Sequence, residues 1–76
     1  MGKAIGYYGW ALAIDRDIGD RRGEGGDLCN LGLAYRKLGE LAKARALLEQ
    51  ALAIGREIED PQIIRIASQA LQELGT

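Results

Sequence analysis

The chain has 76 residues, of which 47% are hydrophobic and 28% charged, and its ten basic and eleven acidic side chains leave a net charge of −1. This length allows one small domain, and the balanced charge is unlike that of a disordered segment or a nucleic-acid-binding tail. The single cysteine, Cys29, excludes an internal disulfide. The sequence has no apolar run of about 18 residues and no signal-peptide pattern. We therefore expect a cytoplasmic protein with no nucleic-acid or membrane partner.

The sequence repeats itself at an offset of forty residues. The segment ALAIDRDIGD at 11–20 returns as ALAIGREIED at 51–60. Matches that cluster at apolar and turn positions indicate duplicated supersecondary units. Beyond Asp60 an offset of thirty-six aligns more of the apolar residues, which predicts a four-residue deletion in the connection that leads into the last helix.

Four segments carry apolar residues at three- and four-residue spacings, which is typical of amphipathic helices. The predicted helices are antiparallel and span residues 3–18, 22–38, 40–58 and 61–74. Asp20 or Glu24 marks the start of the second helix, and Gly39 ends it as a left-handed cap. Asp60 caps the fourth helix, whose first residue is Pro61. The expected fold class is all-α, with antiparallel helix-turn-helix repeats in one domain over 1–76.

The segment NLGLAYRKLGELAKARALLEQALAI resembles a tetratricopeptide repeat. Small and large residues follow the family's order at Leu28, Leu31, Gly32, Tyr35, Gly39, Leu41, Ala44, Leu48 and Ala51. The long second helix and the IGDRRGEG connection are similar to the variant repeats of kinesin light chain and of bacterial regulators. This resemblance implies an α-solenoid fragment with the second helix of one repeat at 3–18, a full repeat at 22–58 and the first helix of a further repeat at 61–74.

Catalytic chemistry has little support in these residues. The chain has no histidine, so Cys29 has no evident base that would activate it as a nucleophile. The acidic residues near the first turn lack the order of a calcium loop, and the glycine-rich stretch at 23–26 lacks the lysine of a phosphate-binding loop. We interpret that stretch as a flexible turn and a poorly nucleated first turn of the second helix. We expect no enzyme, no metal and no cofactor.

The resemblance implies recognition of a protein or peptide. In such arrays the first helices of the repeats line a concave groove, and the residues expected to bind a ligand there are Asn30, Leu33, Arg36, Lys37 and Gln69. The same surface is expected to include Cys29, Arg65, Ile66, Gln72 and Glu73. The amide of Asn30 would hydrogen-bond a peptide backbone, and Arg36 with Lys37 would attract a carboxylate. The alternative interpretation is ordinary solvated helix surface.

Self-association is the second hypothesis, because the first and last helices each have an apolar face without a predicted neighbour. The residues expected to form these contacts are Ala4, Tyr8, Trp10, Ala11, Ile64, Ala67 and Leu71. For Trp10, core packing stays open as an alternative. The two end faces are expected to be complementary. They could join head to tail, or two chains could form a two-fold dimer, and we expect the dimer because a closed assembly suits a soluble protein better than an open filament.

Overall fold

The computed structural model describes residues 2–75, which form four α-helices and no strand. The helices are α1 (Gly2–Ile18), α2 (Arg21–Lys37), α3 (Leu41–Glu57) and α4 (Pro61–Gly75). Each helix packs against its neighbour in the chain, and α4 also touches α2. The all-α prediction is confirmed, and the predicted helix ends lie within one residue of those observed. Within 2–75, no helix has both the length and the hydropathy needed to cross a membrane.

Three turns of one geometry join the helices. Gly19, Gly39 and Glu59 adopt left-handed backbone conformations, with φ of 74°, 81° and 55°, and a left-handed residue at this position ends a helix. In each turn the next backbone N–H donates to the carbonyl five residues earlier, at 2.8, 2.9 and 2.9 Å. As a result α2, α3 and α4 start twenty residues apart, at 21, 41 and 61.

The connection into α4 is not shortened. Asp20 accepts a hydrogen bond from the backbone N–H of Gly23, and Asp60 accepts one each from Gln62 and Ile63, at 3.0–3.2 Å. Because α2 and α4 begin directly after these two caps, the offset of forty holds through the turn. The predicted four-residue deletion is therefore wrong. An offset of thirty-six fits the side chains because it differs by about one helical turn, which keeps residues near the same face.

The centre of the core lies where α2 meets α3. Gly32 allows this contact, since a Cβ there would lie 2.6 Å from Cγ of Leu48. Among the hydrophobic side chains of residues 2–75, those with no exposed surface are Leu28, Ala44, Leu48, Ala51 and Ala67. The burial of Ala67 corrects the expectation that this residue contributes to a self-association surface.

The glycine-rich stretch at 23–26 is helical and forms part of the first two turns of α2. A Cβ at Gly25 would lie 3.0 Å from the side chain of Ile63 and 3.1 Å from that of Ile54. The glycine lets α3 and α4 pack close to the start of α2. The stretch lies within the helix predicted for 22–38, and its interpretation as a flexible turn is wrong.

Glu24 joins the start of α2 to α1. Its buried carboxylate pairs with Arg16 at 3.0 Å and with Arg21 at 2.9 Å. Arg21 also pairs with Glu57 of α3 at 2.7 Å. Burial raises the pKa of Glu24, but the hydrogen bonds from the two arginines outweigh it and hold the pKa below its ordinary value. The network therefore links three helices at one end of the molecule.

Asp27 is an acidic side chain held in an unfavourable environment. One of its oxygens, Oδ2, is buried without a hydrogen-bond partner. Burial raises the pKa of Asp27 to about 6, and a side-chain hydrogen bond with Asp15 and the charges of Asp15 and Asp20 contribute in the same direction. Ionisation of this carboxyl group thus opposes folding near neutral pH.

Candidate functional site

A shallow groove lies between α2 and α4. Its first depression has a volume of about 280 Å³ and is lined by Arg22, Gly26, Cys29, Asn30, Leu33, Asp60, Gln62, Ile63 and Ile66. The aliphatic and thiol side chains make much of this lining apolar, whereas the charged residues come from the first turn of α2 and the cap of α4. Such a surface suits a partly apolar ligand with a few polar groups.

Two further depressions, each of about 250 Å³, extend this surface. The one toward the ends of α2 and α4 is lined by Leu33, Arg36, Ile66, Gln69, Ala70 and Glu73. The one between α1 and α2 is lined by Ala4, Tyr8, Asn30, Leu33, Ala34 and Lys37. Leu33 lines all three depressions, so they form one continuous surface, which we call the groove face.

Helical spacing in α2 produces this face. Gly26, Asn30, Leu33 and Lys37 recur at intervals of three or four residues, which places them on one side of the helix. All five residues expected to bind a ligand line the groove face, Gln69 from α4 and the other four from α2.

Other residues are placed differently from the prediction. Arg65 and Gln72 line none of the three depressions. The sequence reasoning missed several lining residues: Arg22, Gly26, Asp60, Gln62, Ile63 and Ala70. Continuing the helical spacing backward from Asn30 would have found Gly26 and Arg22, which lie four and eight residues earlier. No comparable sequence pattern indicates the lining residues at the start of α4, because their position in the groove depends on how α4 packs against α2.

Ion pairs cross the groove at both ends. Arg22 of α2 donates to the Asp60 side chain at 2.8 Å, and Arg36 donates to Glu73 of α4. The hydrogen bond from Arg22, followed by one from the backbone of Ile63, holds the pKa of Asp60 below its ordinary value. An acidic ligand would therefore compete with these internal carboxylates for the two arginines.

The Cys29 thiol contributes apolar surface to the groove. It is buried, and burial, with a smaller effect of the Asp60 charge, raises its pKa to about 11. A thiol in this state is largely protonated at neutral pH and is a poor nucleophile. In the part of the chain that the structure describes, no group of side chains has the arrangement of a metal site.

A second surface lies on α1, away from α2. Its large side chains are exposed: Tyr7 by 61%, Trp10 by 64%, Ile14 by 38% and Ile18 by 70%. We call these four residues the α1 open face. Trp10 therefore does not lie in the core.

The other residues expected at the end faces are less accessible. Ala4, Tyr8, Ala11, Ile64 and Leu71 are only partly exposed. Tyr8 packs against the core, and it lines the groove face together with Ala4. Of the α1 open face, Trp10 was thus expected at a self-association surface, whereas Tyr7, Ile14 and Ile18 were not.

Antiparallel helices joined by equal turns, with one helix of each pair facing a groove, define a helical repeat protein. Residues 28–61 match the family model described as tetratricopeptide repeat. This part of the chain forms a tetratricopeptide repeat. Searches of the curated proteins and of the solved structures gave no significant match. Repeats of this family generally mediate protein–protein interactions and are generally non-catalytic.

Proposed function

We propose that the groove face binds an extended segment of a partner protein. The observation that supports this most directly is the position of Leu33 and Asn30, which join depressions on both sides of α2. The exposed amide of Asn30 both donates and accepts hydrogen bonds, as a peptide backbone requires. A ligand lying across α2 would contact apolar surface on each side of this amide.

The lining favours a segment with an aliphatic side chain next to an acidic one. Leu33 and Ile66 supply an apolar surface shared by two depressions. Lys37, at the edge of the third depression, is exposed and forms no ion pair within residues 2–75. A carboxylate of the ligand would pair with Lys37 without displacing an internal partner, whereas binding to Arg36 would compete with Glu73.

The affinity of one chain for such a segment should be modest. Each depression is shallow and holds about 250–280 Å³, at or below the low end of drug-sized sites. Extended ligands also lose conformational freedom when they bind.

Peptide-array selection against the labelled chain tests this function. The expected consensus pairs Leu, Ile or Val with Asp or Glu. Replacing Arg36 and Lys37 together by Glu should abolish binding of a selected peptide and preserve the helical circular dichroism signal. The matched control is Arg45→Glu, which reverses an exposed charge on α3 away from the groove. Equal peptide binding by the groove variant and the control would reject the groove assignment.

Self-association is the second candidate function, and the exposed side chains of the α1 open face favour it. Large apolar side chains that cluster on one surface mark interaction sites more often than isolated ones do. Light scattering coupled to size-exclusion chromatography across a range of concentrations measures this property directly. A mass that stays at one chain throughout would exclude it.

A further inference from the structure

The two ends of the molecule differ in character. Within residues 2–75, the exposed large hydrophobic residues lie either on the α1 open face or at Leu38 and Leu41 beside the α2–α3 turn, and none lies on α4. The accessible surface of α4 instead combines the exposed Arg65 and Gln72 with partly exposed residues, which are Ile64, Ile66, Ser68, Leu71 and Leu74. A head-to-tail contact between α1 and α4 would therefore place the exposed large side chains of α1 against apolar residues that are only partly accessible.

Three of the four positions of the α1 open face are covered in α3, and the fourth, Trp10, corresponds to the exposed Gln50. At the offset of forty, the counterparts of Tyr7, Ile14 and Ile18 are Leu47, Ile54 and Ile58. Ile54 is part of the core, and the other two pack against it. The same positions therefore hold a packed helix contact in one half of the chain and exposed side chains in the other.

We propose that this face of α1 packs antiparallel against α1 of a second copy, about a two-fold axis. The assignment rests on the second candidate function, self-association, and specifies its surface and symmetry. Tyr7, Trp10, Ile14 and Ile18 are spaced by three, four and four residues. This spacing forms the kind of seam along which two helices pack at a small angle.

Charge complementarity selects the antiparallel arrangement. Lys3 and Asp17 are exposed beside the seam, on the same flank, and lie fourteen residues apart. A two-fold axis near Trp10 brings Lys3 level with the partner's Asp17, and the same pair recurs at the other end. A parallel arrangement would instead oppose Lys3 to the partner's Lys3. The same register brings Trp10 level with the partner's Trp10, and it places the small side chain of Ala11 level with the partner's Gly9, next to the two indole rings.

The exposed area suits a weak dimer. Full aromatic side chains present about 150–250 Å², so the exposed parts of Tyr7 and Trp10 leave roughly 200–300 Å². Ile14 and Ile18 raise this to roughly 400 Å² per copy, and pairing two copies buries roughly 800 Å². That total lies at the low end of specific interfaces, and a small core gains stability from the additional burial.

Disulfide trapping tests the symmetry. In a Cys29→Ala background, Ala11→Cys lies near the axis and should give a covalent dimer under mild oxidation. Ala13→Cys is the matched control, because it is an exposed alanine on the other side of α1, and it should stay monomeric on a denaturing gel. Scattering of the unmodified chain should show a mass that rises with concentration from one chain to two.

Charge reversal tests the register. Lys3→Glu should weaken the dimer about threefold to tenfold, and adding Asp17→Lys should restore it, because two exposed ion pairs are first lost and then rebuilt. A chain that stays monomeric at all concentrations would overturn both self-association and this assignment. If the chain dimerises but Ala11→Cys gives no covalent dimer, or Asp17→Lys does not restore the dimer of Lys3→Glu, the α1 pairing alone would be overturned. Peptide binding in the groove should be unchanged by Tyr7→Glu, so the groove function is tested separately.

Discussion

Leu48 occupies the space that a side chain at Gly32 would need, because a Cβ there would lie 2.6 Å from Leu48 Cγ. Both residues are buried at the centre of the α2–α3 contact. We expect Gly32→Ala to lower the free energy of unfolding by about 1–3 kcal/mol, since overpacking outweighs the better helix propensity of alanine. Urea denaturation followed by circular dichroism measures this change.

Gly26→Ala provides the matched control for that prediction. Gly26 lies on the same helix, and no atom lies within 4 Å of a Cβ built there. This substitution should raise the free energy of unfolding by about 0.5–1 kcal/mol, because it removes freedom from the unfolded chain. If both variants shifted stability in the same direction, the close-packing account of Gly32 would be contradicted.

The buried carboxylate of Glu24 should stabilise the start of α2. Glu24→Gln keeps the shape of the side chain but removes the charge that Arg16 and Arg21 share. We expect a loss of about 1–3 kcal/mol at neutral pH. Because the native pKa of Glu24 is lowered, its contribution is present above the ordinary value of 4.5 and disappears as the pH falls through the native pKa. The difference in the free energy of unfolding between Glu24→Gln and the parent chain should thus become smaller at acidic pH. The control is Glu49→Gln, at an exposed site on α3, which should leave the free energy of unfolding at neutral pH nearly unchanged.

Asp27 should have the opposite pH dependence. Its native pKa is raised from 3.8 to about 6, so the native state binds more protons than the unfolded state between these values. The free energy of unfolding contributed by this residue therefore falls as the pH rises from about 4 to 6. Asp27→Asn should remove that fall and raise the melting temperature at pH 7.

Thermal melts at half-unit pH intervals check the prediction for Asp27. The control is Asp17→Asn, which removes the same charge from an exposed position of α1. Equal changes in the two pH profiles would show that net charge, and not the environment of Asp27, determines the effect.

Removing the negative charge of Glu73 should strengthen the binding of acidic peptides. Arg36 pairs with Glu73 across the groove, and the two carboxylates compete for one guanidinium group. We expect Glu73→Gln to raise the affinity for a selected acidic peptide about twofold to fivefold, as measured by fluorescence anisotropy. Glu59→Gln alters the same net charge at the exposed α3–α4 turn and controls for long-range attraction. An affinity gain of the same size in both variants would show that Arg36 does not take part.

Local patterns were enough to predict the helices and much of the groove face. The caps at Asp20, Gly39 and Asp60 act within a few residues, so the sequence shows where the helices end. Asn30 and Leu33 could be placed because they lie on one side of a single helix. These features do not depend on the packing of distant segments.

The remaining features depend on how each helix is rotated against its neighbours. The expectation that the last helix has an unpartnered apolar face placed Ala67 on that face, but α4 packs against α3 and Ala67 is fully buried. On α1, Tyr8 was chosen over Tyr7 although both are aromatic. Tyr8 packs against the core while Tyr7 is exposed, and adjacent helix positions point about 100° apart. Choosing between them requires the position of α2.

The equal turns at Gly19, Gly39 and Glu59 make the backbone modular. Each joint presents the same left-handed geometry to the helix that follows, so a forty-residue hairpin inserted at a joint would enter and leave along directions that the chain already uses. A longer or shorter molecule of this kind would differ in its number of helical hairpins, while each turn would keep the same backbone conformation. The size of the recognition surface is therefore separable from the geometry of the joints, and gene duplication or protein engineering can vary the first while retaining the second.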